Sequence, residues 1–360
     1  MLSFPDGTTV LSADRLSAEM LFEEDVLGRV LIVEDGKGAE ILPLLERTGR
    51  RGDLCAYNQT PQEENYAAVL GVGGEEALEK AKAKADSAKI PLTLLPARLY
   101  TGAFSSFYYV GLRSRSLALP PRVVMADDFL CPTDRAGIAQ GFATACALLI
   151  SAFDEGYEAF LLGEEKRGEK ILQTVQEVIK TLCEGERGRE YERVKQSILT
   201  LLPFVYESAD FLSERYLRLL RAKEGEGKPW DAFVCAYALY SVYASYNPKV
   251  PFCMPPDRVK NANDLEYLGG DLCDSLPSDV EDLSRREYVT SACWETFSAA
   301  LRSFPTLAAA YRRTVGSMGY RMRRETKASA LLSALPLLAE QSSGLNLLRT
   351  IYLQGALPSF

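Results

Sequence analysis

None of the 360 residues is histidine. Histidine is the commonest general acid-base residue and the commonest metal ligand. A Ser-His-Asp triad, a Cys-His dyad and a histidine-ligated metal are therefore excluded by residue type, and any chemistry must use carboxylates, lysine, tyrosine, cysteine or a cofactor. The eight cysteines stand singly from Cys55 to Cys293 with no CxxC pair. That spacing fits buried thiols in a reducing compartment better than a disulfide framework or a zinc knot. The arrangement best shaped for a ligand is Gly71-Val72-Gly73-Gly74, between an apolar run and an amphipathic one. Strand, glycine turn and helix set backbone N–H groups and a helix N-terminus against a phosphate, although a tight turn also needs glycine for its backbone alone. Lys82, Tyr100 and Tyr108 could each donate a proton to a reacting oxygen, but the sequence pairs none of them with a base.

Charge narrows the partners. The net charge of −8 argues against a phosphate-backbone footprint, so no nucleic-acid partner is expected. Arg321, Arg323, Arg324 and Lys327 cluster as either a solvated helix face or a site for a local anionic ligand. Apolar runs such as Phe142 to Ile150 fall short of a membrane span, and MLSFPDGTTV lacks the basic and apolar regions of a signal peptide. A cytoplasmic protein without a membrane partner is the expectation.

The glycine turn belongs to an alternation of short β-branched runs and amphipathic segments. Strands are expected at Arg29 to Val33, Asp53 to Tyr57, Tyr66 to Leu70, Pro91 to Leu95 and Arg122 to Met125. Helices follow Gly38 and run from Glu75 to about Ala88. This order predicts a parallel, doubly wound sheet. From Pro132 onward the periodicity is helical: Ile171, Leu172, Val175, Val178, Ile179 and Leu182 share one face, as do Leu331, Leu332, Leu335 and Leu338. Asn247 to Pro256 and the acidic stretch Asp271 to Asp282 read as loops. The expected architecture is an α/β N-terminal domain over 1–125 and an all-helical domain over 126–360.

The order of these segments resembles the superfamily of iron-dependent alcohol dehydrogenases, glycerol-1-phosphate dehydrogenase and dehydroquinate synthase, closest to the glycerol-1-phosphate dehydrogenase-like branch. The family's GxGGGxxxDxxK turn is similar to GVGGEEALEKAK at Gly71 to Lys82. Its Pro-rich strand and substrate loop resemble Ile90 to Pro96 followed by Ala97 to Phe104. Its strand ending in Ala-Asp, with a helix carrying Ala-Gly-x-Gly-Asp, resembles Pro121 to Asp127 and Ala136 to Gln140. The closing Gly344 to Gly355 is also similar. The match is clearest from Val69 to Asp154 and blurred between Glu186 and Arg324.

The resemblance implies a Rossmann-like, dehydroquinate synthase-like fold and an NAD site at Gly71, Gly73, Gly74, Glu79 and Lys82. It gives Asp35 to the adenosine ribose, favouring NAD over NADP; capping of the following helix is the alternative. It also implies a divalent metal that polarises the reacting oxygen, held by one aspartate and two histidines. Those positions fall near Gln140, Arg215 and Trp230. An amide oxygen brings no charge to a cation, and neither arginine nor tryptophan offers it a lone pair. Glu75 stands at the third glycine of the turn, and Gly102 and Ala103 replace the Asp-Gly of the substrate loop.

Two functional readings follow. One is a degenerate member of the superfamily without a catalytic metal, a pseudoenzyme with a binding or interaction role. The other is an NAD(P)-dependent oxidoreductase acting on the CH–OH group of a polyol or polyol phosphate without the usual metal. In either case the candidate partner is a nucleotide or small phosphorylated molecule, and a homo-oligomer is expected.

Overall fold

The computed structural model describes residues 1–61, 65–130, 135–184, 189–205, 212–224, 232–249, 256–270, 279–316, 328–342 and 345–357. The chain divides into two compact units: Met1–Val110 with Ser114–Gly141, and Gly111–Arg113 with Phe142–Phe360. The first unit thus extends past 125 into the opening turns of a long helix.

The first unit is built on β1 (Leu2–Ser3), β2 (Thr9–Ala13), β3 (Arg29–Glu34), α1 (Leu42–Arg47), β4 (Arg51–Ala56), β5 (Ala68–Gly73), α2 (Glu75–Ala88), β6 (Leu92–Pro96), β7 (Phe107–Val110), β8 (Arg113–Ser116), β9 (Arg122–Ala126) and α3 (Asp127–Leu130). Seven strands form one sheet in the order β1-β2-β9-β6-β5-β3-β4, and β7 pairs with β8. Every pairing in the large sheet is parallel except β1 on β2.

Both faces of the sheet are buried, which is why its strands read as nearly continuous apolar runs. Val30 and Ile32, Leu70 and Val72, Leu95, and Val124 face one core with Leu21, Phe22, Ile41 and Leu45. On the other face α2 packs against β3, β5 and β6 through its buried Ala77, Leu78, Ala81 and Ala85. Gly71 makes that approach possible, since a Cβ there would lie 2.7 Å from the Ala81 methyl and 3.1 Å from Leu94. Glycine is needed here for close packing, and the expected end of the strand at Leu70 shifts to Gly73 accordingly. Gly71 and Gly73 are strand residues in register with Leu94 and Pro96 of β6.

The second unit is helical among its described residues. α4 (Arg135–Leu161) crosses the division between the units, and α5 (Glu165–Cys183), α6 (Glu190–Val205), α7 (Leu212–Glu224) and α8 (Ala232–Ser245) follow. α9 (Arg258–Tyr267), α10 (Asp279–Leu301), α11 (Phe304–Gly316), α12 (Ala328–Gln341) and α13 (Leu347–Leu353) complete it. α4 is long and apolar enough to cross a membrane, but 78% of its most apolar window is buried inside the protein. It reads as a core helix. The six periodic apolar residues of α5 are all buried. The basic cluster Arg321 to Lys327 and most of both expected loops lie outside the described residues.

Candidate functional site

The chain passes from β3 outward to β4 and returns to β5 on the other side of β3, so the strand order reverses between β3 and β5. In open α/β sheets ligands enter the crevice at the carboxyl ends of the strands at such a reversal. Asp35 follows β3 there, and Gly73 and Gly74 close β5. Register sets them side by side, because Glu34 pairs with Val72.

The two strand ends meet directly. Gly74 is the N-cap of α2, and its N–H donates to Asp35 Oδ2 at 2.6 Å. Gly73 has φ +129, where a side chain is strained, and a Cβ would stand 2.0 Å from Asp35 Oδ1. The carboxylate therefore lies on the turn, in the helix-terminal field that favours anions. Glu75 and Glu76 add two acidic groups to the first turn of α2. Tyr57 hydrogen-bonds Glu76, and that bond holds its phenol above the usual range. A phosphate at this turn would have to displace Asp35 from the Gly74 N–H and face the neighbouring acidic groups. Repulsion between two unit charges about 4 Å apart costs about 1 kcal/mol in water and about 4 kcal/mol at an effective dielectric of 20.

Glu79 and Lys82 are brought together further along α2. The Lys82 side chain is fully buried. Its Nζ donates to the carbonyls of Gly102 and Phe107, the latter at 2.7 Å, and stands 3.6 Å from Glu79 Oε1. Glu79 in turn accepts from the Tyr100 hydroxyl at 2.8 Å and from the Tyr109 N–H at 3.0 Å. One turn further on, Asp86 accepts from the Tyr108 hydroxyl and from the Ala118 N–H, both at 2.8 Å. Burial first, then the bond to Asp86, pushes the Tyr108 phenol up. These pairs supply the donor-and-base partners that the sequence did not reveal. The available signal was the spacing of Glu79, Lys82 and Asp86, at i, i+3 and i+7, which places them on one face of α2. Tyr100 is 4% exposed and Tyr108 6% exposed, so both phenols are largely withdrawn from solvent. The Tyr100 ring fills the space over Gly102, where a Cβ would be 1.9 Å from its oxygen.

The positions implied for a metal fall in both units. Gln140 is half-buried in the opening turns of α4, in the first unit. Arg215 on α7, in the second unit, donates to the backbone carbonyl of Gln341. Trp230 lies outside the described residues. Among the described residues, no group of three Cys, Asp or Glu side chains is placed to hold a metal ion.

No family model matches the chain, and no curated protein matches it in sequence. Solved structures do match it in fold. The NADH-dependent butanol dehydrogenase A of Thermotoga maritima aligns over 99% of this chain and 98% of its own, with 11% identity and a TM-score of 0.55. An iron-containing alcohol dehydrogenase from Thermotoga maritima aligns over 99% of both chains, with 11% identity and a TM-score of 0.53. Glycerol dehydrogenase from Schizosaccharomyces pombe aligns over 90% of this chain and 94% of its own, with 12% identity and a TM-score of 0.50. At such identities the likeness is one of fold, and it spans both units. The chain has the fold of the iron-containing alcohol dehydrogenases and glycerol dehydrogenases.

Proposed function

We propose that this chain keeps the dehydrogenase fold without the metal-dependent chemistry, as a pseudoenzyme with a binding or interaction role. The Asp35 carboxylate on the Gly74 N–H carries the reading, because an internal anion holds the group a pyrophosphate would use. The donor set supports it. A neutral amide at Gln140 and a guanidinium at Arg215 do not fit a divalent cation, and the chain has no imidazole to replace the missing ligands. We further propose that the protein is a cytoplasmic homo-oligomer whose small-molecule partner is a nucleotide or phosphorylated compound.

The alternative is a metal-independent, NAD(P)-dependent oxidoreductase acting on a polyol or polyol phosphate. Tyr100 paired with Glu79 favours it, because a phenol beside a base can move a proton. The burial of Tyr100 weighs against it.

One set of measurements separates the readings. Purified protein, untagged and dialysed against zinc, iron and nickel salts, is analysed for metal and assayed for nicotinamide reduction with a panel of polyols. The expected outcome is well below one metal equivalent and no turnover. Stoichiometric metal lost on Gln140→Ala, or turnover with any polyol, overturns the pseudoenzyme reading. Calorimetric titration of Asp35→Ser with NAD then fixes the role of Asp35. Affinity rises if the carboxylate blocks the turn and falls if it receives the ribose.

A further inference from the structure

The core of the helical unit contains a carboxylate that the proposed function does not use. Asp154, on α4, is 8% exposed. Its oxygens accept from the Tyr243 hydroxyl of α8 at 3.1 and 3.0 Å and from the Leu347 N–H, the first residue of α13, at 3.1 Å. Three helices thus meet on one side chain, and every hydrogen bond made to it by the described residues comes from a neutral donor.

The charged neighbours are otherwise engaged. On α4 itself, Glu155 pairs with Arg167 of α5, and Glu158 lies in the field of Arg167 and of Arg286 of α10. Arg286 donates to Thr350 Oγ1 at 3.3 Å. The Tyr157 hydroxyl bonds the Thr290 and Thr350 hydroxyls at 2.8 and 2.9 Å. On α13, Arg349 donates to the Ala339 carbonyl at 2.8 Å and lies 3.8 Å from Glu340. Just past α8, Tyr246 bonds Gln354. Among the described residues, no lysine or arginine forms an ion pair with Asp154, while Glu155 and Glu158 add like charge beside it.

We propose that Asp154 is a proton-controlled latch on the C-terminal helix: as the neutral acid it seats the start of α13 against α4 and α8, and ionisation loosens that seat. An ionised carboxylate in this position lacks both water and a counter-charge, and opening α13 is the way to hydrate it. Burial pushes the carboxyl up to about 7, against the bonds from Leu347 and Tyr243 that pull it down. The latch is therefore tightest below about pH 4 and loosens as pH rises to about 7.

Hydrogen-exchange mass spectrometry on the full chain tests this. Protection of the α13 amides is followed from about pH 4 to about pH 9 and corrected for the intrinsic rate. Wild-type protection should fall as pH rises from about 4, where the opened carboxyl ionises, to about 7, where the closed one does, by up to about tenfold per pH unit, and should level off above that. Asp154→Asn keeps the shape and cannot ionise, so its protection should stay flat. Tyr243→Phe removes a donor that favours the ionised form, so the fall should continue to higher pH before it levels off. Flat wild-type protection overturns the latch, as does a fall in Asp154→Asn equal to that of the wild type. If Asp154→Asn does not fold, the shift in Tyr243→Phe decides: a levelling-off pH unchanged from the wild type counts against the latch.

Discussion

Replacing Lys82 with methionine asks whether this lysine is a strut or a ligand-binding group. Its fully buried ammonium donates to the Gly102 and Phe107 carbonyls and balances Glu79 at 3.6 Å. Methionine conserves the aliphatic stem, so the change isolates the charge. A hydrogen bond to a charged group contributes about 1.5–3 kcal/mol, and removing one partner of a buried ion pair costs about 3–5 kcal/mol. These are overlapping descriptions of one loss, so the expected destabilisation is about 3–5 kcal/mol. It should fall on the first unit, where α2, the turn at Gly102 and β7 are tied together. Both tryptophans, Trp230 and Trp294, lie in the second unit, so their fluorescence would miss the effect. Hydrogen exchange over α2 and β7 in increasing urea reads it directly. The double variant Lys82→Met with Glu79→Gln should recover part of the loss, because it removes the stranded carboxylate. Less than about 1 kcal/mol lost in Lys82→Met, together with weakened nucleotide binding, would refute the strut and return Lys82 to a cofactor role.

Three further outcomes are expected. Gly73→Ala should destabilise the first unit by roughly 1–3 kcal/mol, because it adds strain at φ +129 and a contact 2.0 Å from Asp35; urea unfolding measures it, and adding Asp35→Ser should relieve the contact but not the backbone strain. Glu75→Gly should strengthen NAD binding by removing a carboxylate from the first turn of α2, and unchanged affinity in calorimetry would show that Glu75 points elsewhere. Asp154 is raised from 3.8 to about 7, so its contribution to stability is full below about pH 4 and is lost as pH rises through about 7; at about 1.4 kcal/mol per tenfold change this amounts to roughly 4 kcal/mol, and Asp154→Asn should unfold at higher urea than the wild type at pH 8 but not at pH 5.

The parallel sheet was legible because burial on both faces writes apolar runs such as RVLIV at Arg29 to Val33 and RVVM at Arg122 to Met125. The long helices were legible through single apolar faces, as on α5. The smaller strands were not. β2 owes its place to pairing with β9, more than a hundred residues away, and local pattern carries no record of such a partner. β7 and β8 form a separate two-stranded ribbon with few buried residues: β8 is RSRS, with no apolar run, and the FYYV of β7 is only four residues long. The end of β5 was obscured because glycine reads as a turn where it serves a strand packed closely under α2. Partners across the chain were invisible for the same reason. Asp35 and Gly74 are 39 positions apart, and only the order of β3 and β5 brings them together.

That contact changes what the glycine turn means. Each residue that suggested a dinucleotide site has a use inside the fold. Gly71 lets Ala81 approach, Gly73 supplies a positive φ beside a carboxylate, and Lys82 holds two carbonyls in the interior. A sequence could keep all of them with no nucleotide ever binding, because losing any one would cost stability directly. Retention of the motif is therefore no measure of cofactor binding in this chain. The informative position is the anion at the Gly74 N–H, since one N–H cannot serve Asp35 and a pyrophosphate at full strength together. In the folded chain it serves Asp35. A dinucleotide must therefore replace that bond before it gains from the helix terminus, and its affinity should respond to Asp35 more strongly than to any glycine of the turn.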